Sequence, residues 1–232
     1  MGKKNKLKKF GEIRSFSNVF ENYNPTNPVL TNDGENEILL KSKWKKIVFG
    51  NQNELILELA CGGGEYTVEM ARRYPNKNFL GVDIKGNRIW KGARVALSDH
   101  LQNAAFLRTR IEMIDFFIDS EEVDEIWITF PDPFLRNSKK NRRLTSKQFL
   151  TKYEKICKPG ALLHLKTDSL PLFEFSLESI ETQQNWNLLV EVSDIHRTKP
   201  SIVDLDILTF YENMHLEDNR EIYYLKAEFK TI

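Results

Sequence analysis

Apolar and polar positions follow two different periods along the chain, which predicts a series of strands and helices. Short apolar runs typical of strands are LILELACGGG, NFLGVDI, AAFLRTRI, EIWITF and ALLHLKTD. Helical spacing of apolar residues is found in EYTVEMARRYP, NRIWKGARVALSDH and TSKQFLTKYEKIC. Because strands alternate with helices, we expect an α/β fold with a mostly parallel sheet and helices on both faces.

The two ends of the chain have different patterns from this central part. EIYYLKAEF near the C-terminus alternates like a strand and has no helix after it, so we expect it to pair antiparallel at the far end of the sheet. Residues 11–33 are rich in Asn, Pro and Ser, which favours an irregular surface segment. We therefore expect a basic, partly irregular N-terminal extension, residues 1–35, before one domain, residues 36–232.

Composition narrows the possible partners and the compartment. The net charge of +1 predicts no polyanion partner by itself, so affinity for nucleic acid must come from local clusters. The cysteines Cys61 and Cys157 and the four histidines lack the spacing of a disulfide framework or a metal site. No apolar run approaches the roughly 18 residues of a membrane span, and the lysine-rich start lacks a signal-peptide core. We expect a cytoplasmic protein with no metal and no membrane partner.

Candidate ligand-binding residues follow the first two predicted strands of the α/β unit. Glu58 and Ala60 lie at the end of the first strand, and residues 62–64 are three glycines that let a ligand approach the backbone. Asp83 ends the second strand, where an acid can accept hydrogen bonds from ribose hydroxyls. A nucleoside-containing cofactor is implied, although a glycine turn alone could be a simple tight turn.

The residues around the glycines favour S-adenosylmethionine over a dinucleotide. The dinucleotide motif needs a third glycine where this chain has Thr67, and Glu65 would repel a pyrophosphate. S-adenosylmethionine carries no phosphate and has cationic groups that acidic neighbours stabilise.

The stretch FPDPF, residues 130–134, predicts a second part of the site. It places Asp132 between two prolines at the end of an apolar strand, and a proline restricts φ and removes a backbone donor, so the carboxylate is held rigidly. Five basic residues follow it directly: Arg136, Lys139, Lys140, Arg142 and Arg143. A charge run is often only a solvated face, but beside a reaction centre it favours contact with RNA phosphates.

These motifs resemble those of a known family. ELACGGG resembles the E-x-G-x-G-x-G motif of Rossmann-like methyltransferases, with Ala60 in place of the first glycine. TFPDPF, the basic run, KTD and TFYE, in this order, resemble the bacterial tRNA (guanine-N7)-methyltransferases. Two residues depart from that pattern: Arg110 stands where an Asp is usual, and Phe134 where a Trp is usual.

The resemblance implies a fold and a set of roles. The fold is a Rossmann-like methyltransferase fold, with a mostly parallel seven-stranded sheet and an antiparallel C-terminal strand. The residues implied to bind S-adenosylmethionine are Glu58, Ala60, Gly62, Asp83, Ile111 and Asp132, of which Asp132 is also catalytic. Those implied to bind the substrate are Arg136, Asp168, Thr209, Phe210, Tyr211 and Glu212.

The activity implied is methyl transfer to N7 of a guanosine in the variable loop of tRNA, with no DNA and no obligate protein partner. Guanine N7 has an available lone pair, so no base is needed and positioning should dominate. Asp132 or Asp168 could accept hydrogen bonds from the Watson–Crick edge and so select guanine. Methylation of another RNA or of a protein amine, or a non-catalytic RNA-binding module, remain as alternatives.

Overall fold

A computed structural model describes residues 3–22, 24–217 and 220–230. Within these ranges the strands are β1 (Val19–Glu21), β2 (Leu30–Thr31), β3 (Glu37–Ile38), β4 (Glu54–Leu59), β5 (Lys77–Asp83), β6 (Ala104–Arg108), β7 (Val123–Thr129), β8 (Cys157–Thr167), β9 (Trp186–Val192) and β10 (Tyr223–Phe229). The α-helices are α1 (Lys3–Glu12), α2 (Glu65–Arg73), α3 (Gly86–Ser98), α4 (Ile114–Phe117), α5 (Lys147–Ile156), α6 (Leu170–Glu181), α7 (Ile195–Thr198) and α8 (Phe210–Glu217).

The strands form one sheet in the order β3-β2-β1-β6-β5-β4-β7-β8-β10-β9. The neighbours from β6 to β8 pair in parallel, and β10 pairs antiparallel with both β8 and β9. The predicted α/β class, the parallel sheet and the antiparallel C-terminal strand are confirmed. The seven strands from β6 to β9 carry three further strands at the β6 edge, which the sequence did not predict.

The N-terminal region is more ordered than its composition predicts. Strand β1 is buried and pairs in parallel with β6, so Val19 lies opposite Phe106. Helix α1 packs on α3, where the Trp90 indole donates to Glu12 at 2.7 Å. The prediction of an irregular segment is wrong here, because the three residues Val19–Glu21 are too few to show a period but pair with β6. The sheet thus crosses the boundary predicted between residues 35 and 36.

Apolar side chains cover both faces of the sheet. Leu57, Leu80 and Ile126 belong to one buried cluster, whereas their neighbours Ile56 and Phe79 belong to another. Side chains alternate between faces along a strand, so a sheet buried on both sides needs apolar residues at consecutive positions. This explains why the central strands read as continuous apolar runs.

The order of the strands also determines where a ligand can bind. From β4 the chain moves outward through β5 to β6, and it then returns to β7 on the other side of β4. Such a reversal opens a crevice at the carboxyl ends of the strands on either side of it. The described residues contain no helix with the length and apolar character of a membrane span.

Candidate active site

A cavity of about 750 Å³ opens at the carboxyl ends of the central strands. Its wall includes all six residues predicted for the cofactor, namely Glu58, Ala60, Gly62, Asp83, Ile111 and Asp132. Asp168, Thr209 and Arg142 line the same space. The fold therefore brings together side chains that are up to about 150 positions apart in the chain (from 58 to 209).

The turn after β4 is tight and leaves the cavity open. Gly62 and Gly64 have φ values of 56° and 72°, in the left-handed region that favours glycine. A Cβ on Gly64 would lie 2.6 Å from the ring of Phe106, whereas one on Gly62 would meet no atom closer than 3.9 Å. Gly64 thus allows close packing, and Gly62 keeps a side chain out of the cavity.

Ala60 adopts the same left-handed conformation without being glycine. Its φ is 60°, and an L-residue with a Cβ is disfavoured there by roughly 1–2 kcal/mol. We expect Ala60→Gly to raise the free energy of unfolding by about 0.5–1 kcal/mol, because relief of strain exceeds the added entropy of the unfolded chain. Urea denaturation would measure this. A matched Ala93→Gly change inside α3 should lower stability instead, and destabilisation by Ala60→Gly would contradict the strain.

Asp83 connects the end of β5 to the glycine turn. One carboxylate oxygen accepts the Gly62 N–H at 3.0 Å, and the other accepts the Lys85 N–H at 2.7 Å. Each carboxylate oxygen has two lone pairs, so acceptor capacity remains towards the cavity. The carboxylate is therefore held in place by the backbone and still available to a ligand.

Glu58 lies beneath the same turn. Its carboxylate accepts bonds from the Thr67 backbone N–H at 2.8 Å, from the Thr67 hydroxyl and from the Thr129 hydroxyl at 3.0 Å. Burial raises the pKa of this carboxyl from 4.5 to about 7, against the lowering effect of these bonds. Glu58 therefore supports the turn from inside the protein and takes up a proton near neutral pH.

This raised pKa predicts a pH dependence of stability. Between pH 4.5 and about 7 the folded chain holds a proton on Glu58 that the unfolded chain releases, so stability falls as pH rises through this window. Over the window from pH 4.5 to about 7, at about 1.4 kcal/mol per pH unit, the change in stability amounts to about 3–4 kcal/mol. We expect Glu58→Gln to remove this component, measured by urea denaturation without ligand at pH 5 and pH 7.5. If the free energy of unfolding changed with pH by the same amount in both proteins, a contribution from Glu58 would be excluded.

The backbone of the FPDPF loop is strained, and hydrogen bonds hold it in this conformation. Phe130 and Phe134 have φ values of 47° and 42°, which non-glycine residues rarely adopt. The Phe134 N–H donates to Asp132 at 3.0 Å, and the Arg143 guanidinium donates to the Pro133 carbonyl at 3.0 Å. Strained backbone persists when its surroundings hold it, as they do here. The loop thus presents the exposed carboxylate of Asp132 at the cavity in a defined position.

The basic run divides into two groups in the structure. Arg143 is buried, with 6% of its surface exposed, and its guanidinium also lies over the ring of Phe175 at 4.5 Å. The prediction that Arg143 contacts RNA is therefore wrong for this conformation, because its donors brace the loop. The other four basic residues are exposed around a short 3₁₀ helix, residues Asn137–Arg142.

The predicted substrate residues 209–212 also differ in their surroundings. Thr209 lines the cavity, whereas Glu212 is fully buried and pairs with Lys166 at 2.7 Å and with His196 at 3.0 Å. A carboxylate so enclosed does not reach a substrate, so that prediction fails in this conformation. Phe210 is exposed outside the cavity wall, and the side chain of Tyr211 lies outside what the structure describes.

Asp168 lines the same cavity as the FPDPF loop. It follows β8, and its carboxylate pairs with Arg220 at 3.1 Å. Asp132 follows β7, the parallel neighbour of β8, so the two carboxylates face one cavity. Two acceptor side chains at adjacent strand ends can hold a planar group that carries N–H donors.

Two features near the cavity, Lys166 and Thr109, were not predicted from the sequence. Lys166 is fully buried in β8 and donates to the carbonyls of Leu205 at 2.8 Å and Ile207 at 3.1 Å, which holds the segment before Thr209. The position of a lysine inside an apolar strand indicates from the sequence that this side chain is buried and bound to polar groups. Thr109 lines the cavity, and among the described residues its buried hydroxyl has no hydrogen-bond partner.

No cluster of His, Cys, Asp or Glu in the described residues could hold a metal ion.

Comparison with known proteins shows the family. A family model described as a putative methyltransferase matches residues 52–225. A curated relative from Christiangramia forsetii, named tRNA (guanine-N(7)-)-methyltransferase, is 42% identical over 231 residues, which cover 99% of this chain and 100% of the relative. The chain belongs to the tRNA (guanine-N(7)-)-methyltransferase family. A relative of the same name from Bacteroides thetaiotaomicron is also 42% identical, over 96% of this chain and 85% of its own.

Solved structures agree with this tRNA (guanine-N(7)-)-methyltransferase membership at the level of the fold. The 16S rRNA methyltransferase KamB has a TM-score of 0.65 at 16% identity and covers 85% of this chain and 98% of its own. A 16S rRNA (adenine-N1)-methyltransferase from Catenulisporales acidiphilia, solved with its cosubstrate SAM, has a TM-score of 0.56 at 15% identity, over 85% and 95% of the two chains. The family resemblance carried by TFPDPF, the basic run, KTD and TFYE is thus confirmed.

Proposed function

We propose that this chain transfers the methyl group of S-adenosylmethionine to N7 of a guanosine in the variable loop of tRNA. The observation that carries the proposal is its similarity, over nearly the whole length of both chains, to a relative named for this reaction. The cavity at the reversal point of the sheet supplies the place for the reaction. Bacterial tRNA is cytoplasmic, and we place the enzyme there.

The residues of the cavity fit the cofactor. Asp83 accepts hydrogen bonds from ribose hydroxyls, and Gly62 leaves room for the chain that joins ribose to the amino acid. Thr109 offers an unpaired hydroxyl in the same wall. Bound S-adenosylmethionine supplies an electrophilic methyl group, and its positive charge is compatible with the acidic wall around Glu58 and Asp83.

Asp132 and Asp168 hold the guanine. Its N1–H and amino group are donors, and a carboxylate that accepts them orients the ring and stabilises the positive charge that develops on it. Adenine presents an acceptor at N1, which a carboxylate repels, so the same groups select guanine. No proton leaves N7, and the protein therefore contributes orientation and charge rather than a base.

The exposed basic residues beside the loop hold the RNA. Arg136, Lys139, Lys140 and Arg142 form no ion pair among the residues the structure describes, so their charges are free for phosphates. They follow Asp132 directly in the chain, which places the phosphates next to the target guanosine.

Mass spectrometry of nucleosides from bulk tRNA tests the function. We expect 7-methylguanosine in tRNA from cells that carry the gene, and its loss when the gene is deleted. The purified protein should restore it in deletion-strain tRNA with S-adenosylmethionine. Methylation of ribosomal RNA alone would favour the alternative substrate, and failure to bind S-adenosylmethionine would favour a non-catalytic RNA-binding module.

A further inference from the structure

Three cationic side chains lie on the wall of the cavity at the ends of β5 and β6, away from the basic run that follows β7. Lys85 follows β5, Arg88 lies in the first turn of α3, and Arg110 follows β6. All three line the cavity, and Lys85 and Arg110 are largely exposed. Among the described residues, none of their side chains forms an ion pair or a hydrogen bond. The wall therefore carries three charges that the folded chain does not neutralise.

Neighbouring cations in the same elements are neutralised. Lys91, one turn further along α3, pairs with Glu65 at 2.8 Å. Arg108, two residues before Arg110, pairs with Glu21 at 2.7 Å. Lys85, Arg88 and Arg110 differ from these two residues in having no ion-pair partner among the described residues. The acidic side chains within two residues of them in the chain are Asp83 and Glu112, so three cations stand beside two acids on this stretch of the wall.

The cofactor does not account for these charges. S-adenosylmethionine has a sulfonium and an ammonium group against one carboxylate, so it is a cation, and it has no phosphate. Cations at the mouth repel it weakly across water. A polyanion that passes over the cavity, in contrast, is attracted by unpaired lysine and arginine side chains.

The positions of the strands show where such a polyanion would run. Arg110 follows β6 and the basic run follows β7, and these strands are three sheet spacings apart, about 14 Å. That distance exceeds the roughly 3.4 Å axial rise per nucleotide of a duplex strand, so a strand that contacts both places does so through different phosphates. Cations therefore stand at two separate places along the cavity, at the ends of β5 and β6 and after β7, and the carboxylates Asp132 and Asp168 follow β7 and β8.

We propose that Lys85, Arg88 and Arg110 form a second phosphate-binding surface, which holds the RNA backbone at the β5–β6 side of the cavity, apart from the basic run. The proposal rests on the proposed function and adds a surface to it. Two separate contacts with the backbone hold the strand while a single base enters the cavity. In this proposal Arg110, which departs from the family pattern, binds a phosphate of the RNA.

A triple alanine variant at Lys85, Arg88 and Arg110 tests this surface. We expect tRNA affinity to fall at least tenfold at low salt, and the slope of log K against log salt to become shallower by about 2 to 3, because up to three phosphate contacts are lost. The dissociation constant for S-adenosylmethionine, measured by calorimetry, should change less than about twofold. Thermal unfolding checks the fold, and the single change Arg110→Gln, expected to weaken tRNA binding about two- to threefold, serves if the triple variant does not fold.

The matched control replaces Lys43, Lys46 and Lys230 with alanine. These residues are exposed at the opposite end of the sheet, and the change in net charge is the same. We expect it to leave tRNA affinity within about threefold of wild type. Equal affinity of the test and control triples overturns the proposal, and so does a loss that falls on S-adenosylmethionine alone. If wild type binds tRNA but transfers no methyl group, the proposed function fails while the binding comparison still decides on the surface.

Discussion

Replacing Lys166 with methionine is expected to lower the free energy of unfolding by about 3–5 kcal/mol. The lysine ammonium pairs with Glu212 at 2.7 Å, and both side chains are completely buried. Removal of the lysine leaves the buried Glu212 carboxylate with only its contact to His196 at 3.0 Å, and breaking a buried pair in this way is far more destabilising than the pair is stabilising. Urea denaturation of the two proteins without ligand measures the difference.

Lys77→Met is the matched control for this prediction. Lys77 pairs with Glu54 at the same 2.7 Å, but this pair is partly exposed, with 31% of the Lys77 and 54% of the Glu54 side chain in contact with solvent, so we expect a loss of at most about 1 kcal/mol. Adding Glu212→Gln to Lys166→Met should recover at least half of the lost stability, because the unpaired charge is then gone. A loss below about 1 kcal/mol for Lys166→Met would show that the pair is not needed for folding.

Asp168→Asn is expected to lower turnover by at least about tenfold. The substitution keeps the shape but replaces one acceptor oxygen with a donor that faces the guanine N1–H and amino group. A charge-assisted hydrogen bond is worth roughly 1.5–3 kcal/mol, and about 1.4 kcal/mol corresponds to a factor of ten in rate. Single-turnover methylation at saturating tRNA and S-adenosylmethionine measures it. Cofactor affinity should be unchanged.

The ion pair with Arg220 has to be separated from this acceptor role. Arg220 pairs with Asp168 at 3.1 Å and is half exposed, so Arg220→Gln removes the pair and leaves the carboxylate. We expect less than a threefold effect on the single-turnover rate from it. Equal rates for wild type and a folded Asp168→Asn variant would exclude Asp168 from guanine recognition and leave Asp132 as the remaining reader.

Some residues of the site were predictable because their role depends on local sequence. Asp83 ends an apolar strand, and Asp132 lies between two prolines directly after another, so the strand pattern alone places both at one edge of a parallel sheet. Other features depend on contacts far along the chain. Arg143 cannot be told from Arg142 by spacing, yet the fold turns one inward and leaves the other exposed.

The sequence by itself determined the α/β class, the mostly parallel sheet and the carboxylates at the ends of its strands. It could do so because apolar period and proline placement are local properties that act on the backbone directly. Only the tertiary structure decided that Val19–Glu21 joins the sheet and that Lys166 neutralises Glu212, 46 residues further along (212 minus 166). Pairing of a short strand and burial of a charge depend on contacts between residues far apart in the chain, and the local pattern of apolar and polar residues does not indicate those contacts.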